Sequence, residues 1–282
     1  MHGVLAVAAL VAAPLAAQSS GFPTRPLSAG PTALGDGGSS PTALDAVFLN
    51  PARVAGRSGL AATYLIQEET GLRGSSLAIG FRAGLPVAVT VWKYDVGDLF
   101  DDALLAADPS LEALGVYTTG ADLAVGMPKG AWALGVGVSG EFSHTLGRNR
   151  QRFASRAGAF YDGATLTAGL SWTNGMERNP LVGLRTGMAR ATISWRPSLG
   201  PTTLELGHGG AWLVAEGRLD FVSSVMIGPK PLQILAGWRW GNRQFTGGLL
   251  MRLSLASVAV AREFGGRDAL GGLTVLTAAL GW

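Results

Sequence analysis

Apolar side chains recur at every second position along most of this chain. That period calls for strands, because a strand sends successive side chains to opposite faces while a helix repeats about every 3.6 residues. Between 131 and 144, Trp132, Leu134, Val136, Val138 and Phe142 share one face, against Ala133, Gly135, Gly137, Ser139, Glu141 and Ser143. Leu166, Leu170 and Trp172 oppose Thr165, Thr167, Gly169, Ser171 and Thr173. Ala189, Ala191, Ile193 and Trp195 oppose Arg190, Thr192, Ser194 and Arg196, and the division continues through 232–240 and 243–253. It reaches the C-terminus, where Leu276, Ala278, Leu280 and Trp282 stand against Val275, Thr277, Ala279 and Gly281. Each strand carries one large apolar face and one small or polar face.

Two all-β architectures fit such strands: a soluble sandwich with the large faces inward, and a membrane barrel with them outward. Hydrophobic residues make up 48% of the chain and charged residues 15%. After the first residues, however, no apolar run approaches the ~20 residues of a spanning helix. The run from Val4 to Ala17, followed by Gln18, Ser19 and Ser20, reads as a secretory signal cut near Ala17. There is no Cys, hence neither a disulfide framework nor a lipid-attachment site. Trp92, Trp132, Trp172, Trp195, Trp240 and Trp282 fall near strand ends, as an interfacial girdle requires.

The sequence therefore predicts an all-β protein, a transmembrane antiparallel β-barrel of about 14 strands in the cell outer membrane. Its outward faces would meet outer-membrane lipid, and Leu276, Leu280 and Trp282 would form a C-terminal assembly signal read by the outer-membrane assembly machinery. Three parts are expected: a signal peptide at 1–17, an N-terminal plug or entry segment at 18–57, and the barrel at 58–282. The expected strands are 59–69, 74–83, 86–95, 115–127, 131–144, 152–161, 163–173, 187–196, 201–214, 218–227, 231–240, 243–253, 255–263 and 271–282. Gly207, Gly209 and Gly210 threaten to split the strand at 201–214. The longer connections, 96–114, 145–151, 174–186 and 264–270, would lie outside the cell. In the first, Phe100, Leu104, Ala107, Leu111 and Leu114 recur at helical spacing.

Chemical motifs are sparse. Gly135-Val136-Gly137-Val138-Ser139-Gly140 matches a dinucleotide-binding string, but it lies inside a strand instead of opening a helix. Gly137 is expected to accept Ser, since it looks inward. His144 and His208 are too few and too separated for a zinc site. No catalytic, cofactor-binding or metal residues are expected, and no enzyme activity. A net charge of +3 implies no nucleic-acid partner. Arg190, Arg196, Arg239 and Arg252 fall on inward faces, with Asp122, Glu141 and Glu205 as partners, so they line either a watery lumen or an internal polar network.

Residues 21–57 are rich in Gly, Pro, Ser and Thr without alternation, until Asp45, Phe48 and Asn50-Pro51-Ala52. This cluster, after the Gly/Ala-rich Ala33–Gly38, resembles the PorV/PorQ family of FadL-like outer-membrane proteins. Arg53 departs from the motif, which usually has Gly there. The resemblance implies an N-terminal segment packed in or under the barrel, with Asp45, Phe48, Asn50, Pro51 and Ala52 in a structural role. Asn50 can bond local backbone and Pro51 biases it toward extended geometry, which also describes a plain turn. Three functions stay open. The PorV type binds secreted cargo at the cell surface, with secretion-system proteins and cargo of type IX secretion as partners. The FadL type passes hydrophobic small molecules, and the third possibility is a structural barrel.

Overall fold

The computed structural model describes residues 28–34, 44–55, 58–67, 71–96, 115–145, 148–177, 185–213, 218–241, 243–264 and 272–281. The expected signal peptide, the expected loop at 98–114 and Trp282 lie outside the described residues. The strands are β1 (Gly59–Gln67), β2 (Leu72–Ala83), β3 (Leu85–Val96), β4 (Val116–Lys129), β5 (Trp132–Thr145), β6 (Arg148–Asp162), β7 (Leu166–Glu177) and β8 (Arg185–Trp195). After a two-residue β9 (Ser198–Leu199) come β10 (Thr202–Leu213), β11 (Arg218–Pro229), β12 (Leu232–Arg239), β13 (Gln244–Leu253), β14 (Ala256–Phe264) and β15 (Leu273–Gly281).

Every pairing is antiparallel between chain neighbours, with β8 meeting β10 directly and β9 covering only Thr202 and Thr203 of β10 below the end of β8. β15 returns to β1, from Gly59↔Gly281 to Gln67↔Leu273. The protein is thus a closed barrel of fourteen strands with β9 as an appendage. Closure matters because hydrocarbon offers no partner to an unpaired strand edge.

The large faces point outward. Leu170, Val136, Ile234 and Trp132 expose 63, 61, 57 and 58% of their surface, whereas Thr167, Gln233 and Thr246 inside expose none. Two polar and aromatic rims bound the apolar band. At one edge the outward residues Ile66, Arg73, Asp95, Tyr117, His144 and Asn149 are directly paired across β1 to β6. At the other, Trp132 packs on Tyr161 with ring centroids 4.9 Å apart. Along β4 from Tyr117 to Met127, ~3.3 Å per residue and a tilt of ~40° give a height of about 25 Å, the usual thickness of a barrel's apolar band. The short turns share the second edge, which is therefore periplasmic, and the protein is an outer-membrane β-barrel. No described helix is long and apolar enough to cross a membrane.

Three expectations change. Residues 145–151 are not a long loop: β5 runs to Thr145 and β6 starts at Arg148. The polar stretch Arg148–Gln151 stands above the lipid and needs no apolar face, so alternation could not reveal it. β7 and β8 likewise extend into the expected loop, to Glu177 and from Arg185. The strand expected at 201–214 stands unbroken as β10, with Gly207 and Gly209 on its inner face. Trp92 does not join the girdle; it is 4% exposed and points inward.

Inside lie three short pieces of the N-terminal segment. α1 (Ala29–Ala33) is fully buried, with Pro31 in its first turn, where a missing N–H costs no helical bond. Two 3-10 turns follow, Leu44–Phe48 and Pro51–Val54.

Candidate functional site

The second 3-10 turn rests on a seat that lacks side chains. Gly126, Gly135 and Gly158 are direct partners across β4, β5 and β6, and Ser171 of β7 continues the row. A Cβ at Gly126 would lie 2.5 Å from Val54 Cγ1, and one at Gly135 or Gly158 would come closer than 3.0 Å to Ala52 N or Asn50 Oδ1. The plug backbone therefore lies directly on the wall.

Asn50 fastens it. With φ −148° and ψ 108°, the extended geometry that a following Pro favours, its Oδ1 accepts from Ala52 N at 3.0 Å. Its Nδ2 donates to Ala159 O at 3.0 Å and Leu170 O at 3.1 Å, two carbonyls of the wall. Ser171 Oγ donates to Leu49 O at 2.9 Å. Sequence reasoning found the local bond of Asn50 and missed the two wall contacts.

A second clasp centres on Arg156, absent from the sequence-based set. Its Nη2 pairs with Asp122 Oδ1, its Nη1 donates to Phe48 O at 2.5 Å, and its guanidinium lies 4.3 Å from the Phe48 ring centroid. Both charged side chains are almost wholly buried, where a lone charge would be very costly. Gly137 makes room: a Cβ there would lie 2.8 Å from Arg156 Nη2, so the expectation that Gly137 accepts Ser is corrected. Pro51 and Ala52 are buried in the same seat, and the side chain of Asp45 lies outside the described set.

The other predicted charges are scattered. Arg196 bridges Asp162 at 3.1 Å and Glu205 at 3.3 Å near the periplasmic end. Arg239 contacts Gln244 at 2.9 Å and Glu263 at 3.3 Å near the extracellular end. Glu141 accepts from Ser143 at 2.8 Å and stands 4.0 Å from Arg152. Arg190 reaches Met188 Sδ at 3.8 Å, and Arg252 faces inward near the periplasmic end of β13. Asp122 alone among them joins the plug clasp. His144 stacks on Tyr117 and His208 on Phe221, far apart on the outer face. Among the described residues no group of three His, Asp or Glu could hold a metal.

Beside these polar groups the interior holds an apolar cluster, unusual for the inside of a barrel. Leu65, Leu72, Trp92, Tyr94, Met226, Leu235, Leu250 and Val275 gather around α1. Trp92 and Tyr94 fall on the inward face of β3, and each has room because a glycine lies directly opposite on the neighbouring strand, Gly120 and Gly74. Phe48 meets Trp92 edge-on at 5.7 Å. α1 is tied by Ala29 N to Thr277 Oγ1 at 2.9 Å and by Thr246 Oγ1 to Ala33 O at 2.8 Å. Gln233 sits inside with neither Nε2 nor Oε1 bonded among the described residues.

The fold and interior define a plugged outer-membrane barrel whose inside combines an apolar cluster around α1 with buried polar and charged groups. Solved structures with the same architecture include a ΔS2S3 mutant of TodX, described as a monoaromatic hydrocarbon channel. It shares 12% identity over 92% of this chain and 99% of that one, at a TM-score of 0.51. The Ralstonia pickettii toluene transporter TbuX matches at 11% identity, over 92% and 98%, with a TM-score of 0.51. The Acinetobacter baumannii outer-membrane protein Omp33 matches at 11%, over 81% and 99%, with a TM-score of 0.50. At such identities the likeness concerns the fold. Neither a protein-family model nor a curated protein sequence matches the chain.

Proposed function

We propose that this barrel is a FadL-like, non-enzymatic conduit for apolar small molecules across the outer membrane. The observation that carries the reading is the apolar cluster that α1 forms with Leu65, Trp92, Leu235 and Leu250 inside the barrel, which a hydrophilic pore would not need. Gln233 adds one buried carboxamide without a partner among the described residues, the kind of isolated polar group that orients a ligand in an apolar site. Two structural neighbours described as a hydrocarbon channel and a toluene transporter agree with this reading. The test is uptake of toluene and of a small sugar by cells expressing the protein, against cells carrying an empty vector. Faster toluene entry with unchanged sugar entry is expected; equal toluene entry overturns the reading.

A second reading has its own support in the cluster of Asp45, Phe48, Asn50, Pro51 and Ala52, which resembles the PorV/PorQ family. On it the protein receives secreted cargo at the cell surface for type IX secretion, and the N-terminal turn only stiffens the barrel. Deleting the gene would then retain specific cargo inside the cell, and secretion unaffected by the deletion rejects this reading.

A further inference from the structure

Gln244 and Gln233 both face the barrel interior, in different settings. Gln244, at the extracellular end of β13, accepts from Arg239 Nη1 at 2.9 Å and donates to Glu263 Oε2 at 3.0 Å. Gln233 is the second residue of β12, just above the short periplasmic turn from β11, and is fully buried. Leu250 stands directly opposite it on β13, Leu235 follows on the same face, and Met226 lies opposite Leu235 on β11. All three are 1% exposed and belong to the cluster that holds α1. Neither Nε2 nor Oε1 of Gln233 is hydrogen-bonded among the described residues. The register carries the same row on through Ala259 to Thr277 and Thr63, where the polar groups are engaged: the two hydroxyls lie 2.9 Å apart, and Thr277 Oγ1 accepts from Ala29 N of α1 at 2.9 Å. Ser28, the residue before α1, is also buried, and its hydroxyl neither caps the helix nor bonds another described residue. The berth of α1 thus holds a carboxamide and a hydroxyl that no described residue engages. Burying such groups unpaired opposes folding, so their place there calls for another reason.

We propose that Gln233 makes the barrel a conduit for apolar molecules that carry a single neutral hydroxyl group, phenols among them, in preference to plain hydrocarbons. The inference rests on the conduit reading and names its substrate class. A guest with no polar group leaves the carboxamide unpaired, whereas a hydroxyl satisfies it and is itself satisfied, so each group offsets the desolvation of the other. A hydroxyl both donates and accepts and can pair with Oε1 or Nε2, in whichever pose the apolar part requires; a carbonyl can use only Nε2. An ionised carboxylate would bring a charge among Met226, Leu235 and Leu250, where burial opposes it. A few polar groups in an apolar site are what orient a ligand, and Gln233 lies at the periplasmic end of the cluster, where an inward-moving guest leaves it.

The experiment is equilibrium dialysis of the full-length protein in nanodiscs against p-cresol and against toluene, the same skeleton without the hydroxyl, with empty nanodiscs as the partition background. Both ligands should bind saturably. Gln233→Met, which keeps the length of the side chain, should weaken p-cresol binding about tenfold, the usual worth of one buried hydrogen bond, and leave toluene binding unchanged or tighter. Gln244→Met should bind p-cresol like the parent. Ligand-free Gln233→Met should also unfold at a higher urea concentration than the parent, because it removes an unpaired carboxamide. A carboxamide that served the fold would shift unfolding the other way, and that result, or failure of the variant to fold, overturns the proposal. So does an equal loss of both ligands, or an equal loss of p-cresol in Gln244→Met. Absence of saturable binding by either ligand is failure of the conduit reading and removes this inference with it; toluene binding with p-cresol untouched by Gln233→Met is failure of this inference alone.

Discussion

Gly158→Ala tests whether the glycine row seats the plug. The added methyl would meet Asn50 Oδ1 well inside contact distance and Leu170 O at 3.2 Å, and the wall backbone is held by its ladder, so the carboxamide must leave. Three hydrogen bonds go with it: Ala52 N to Oδ1, and Nδ2 to Ala159 O and Leu170 O. At about 1 kcal/mol net for each, the plug loses about 3 kcal/mol of docking energy while the barrel keeps its pairing. Because the chain has no Cys, a single Val54→Cys reporter, fully buried under the turn, reads plug opening by maleimide labelling. The open population, and with it the labelling rate, should rise on the order of 100-fold. Gly140→Ala, whose methyl would meet only the Phe153 ring at 3.5 Å and beyond, is the control. Asn50→Ala should match Gly158→Ala, and the double variant should be no worse than either, since both remove the same bonds. Additive effects, or an unchanged labelling rate in a folded Gly158→Ala barrel, would refute the reasoning.

Other substitutions probe the remaining elements. Val136→Arg places a charge on the outer face of β5 and should cost about 2 to 4 kcal/mol near the bilayer midplane, measured by urea unfolding in lipid vesicles; a neutral result would mean that this face does not meet lipid. Arg156→Met strands Asp122 in the interior and should destabilise by about 3 to 5 kcal/mol in the same assay, with Asp122→Asn added to it restoring part of the loss. No rescue would show that the pair acts only through packing. Trp282→Ala should reduce pulse-labelled insertion more than Trp195→Ala if the terminal residue serves assembly; equal early yields would leave it no special role.

The barrel was legible because lipid acts on every strand alike: an outward residue must be apolar, so alternation marks both the strand and its face. Where that pressure ends, so does the signal, as at Arg148–Gln151 above the membrane. The interior obeys register instead. Arg156 shares its parity with Arg148, Arg150 and Arg152, and nothing local separates the one that meets Asp122, 34 positions earlier. The clue was across the sheet, where Gly137 stands directly opposite Arg156. Trp92 opposite Gly120 and Tyr94 opposite Gly74 follow the same rule, in which a glycine on one strand receives a large inward side chain from the next. Asn50 looked like a turn residue because its local bond is what a turn would use; its bonds to Ala159 and Leu170 depend on two strands, β6 and β7, being in place.

The two ends of the plug are held by different forces, and this decides which of them can move. The turn at Asn50 is tied to the wall by directional contacts: Asn50 to two carbonyls, Ser171 to Leu49, and the buried Arg156 to Phe48. Breaking any one leaves a buried polar group without its partner, which favours release of the turn as a unit. Among the described residues α1 is tied to the wall by Ala29 to Thr277 and by Thr246 to Ala33, and it shares one apolar cluster with Leu65, Trp92, Leu235 and Leu250. Apolar contacts are non-directional, and an apolar molecule sliding between α1 and those side chains replaces them in kind. A hydrophilic solute does not, because it would strip both sides of their contacts and bring its own unpaired groups. On the conduit reading, we propose that the cluster around α1 selects by polarity before size and that a guest enters by displacing α1 while the Asn50 turn stays locked against the glycine row.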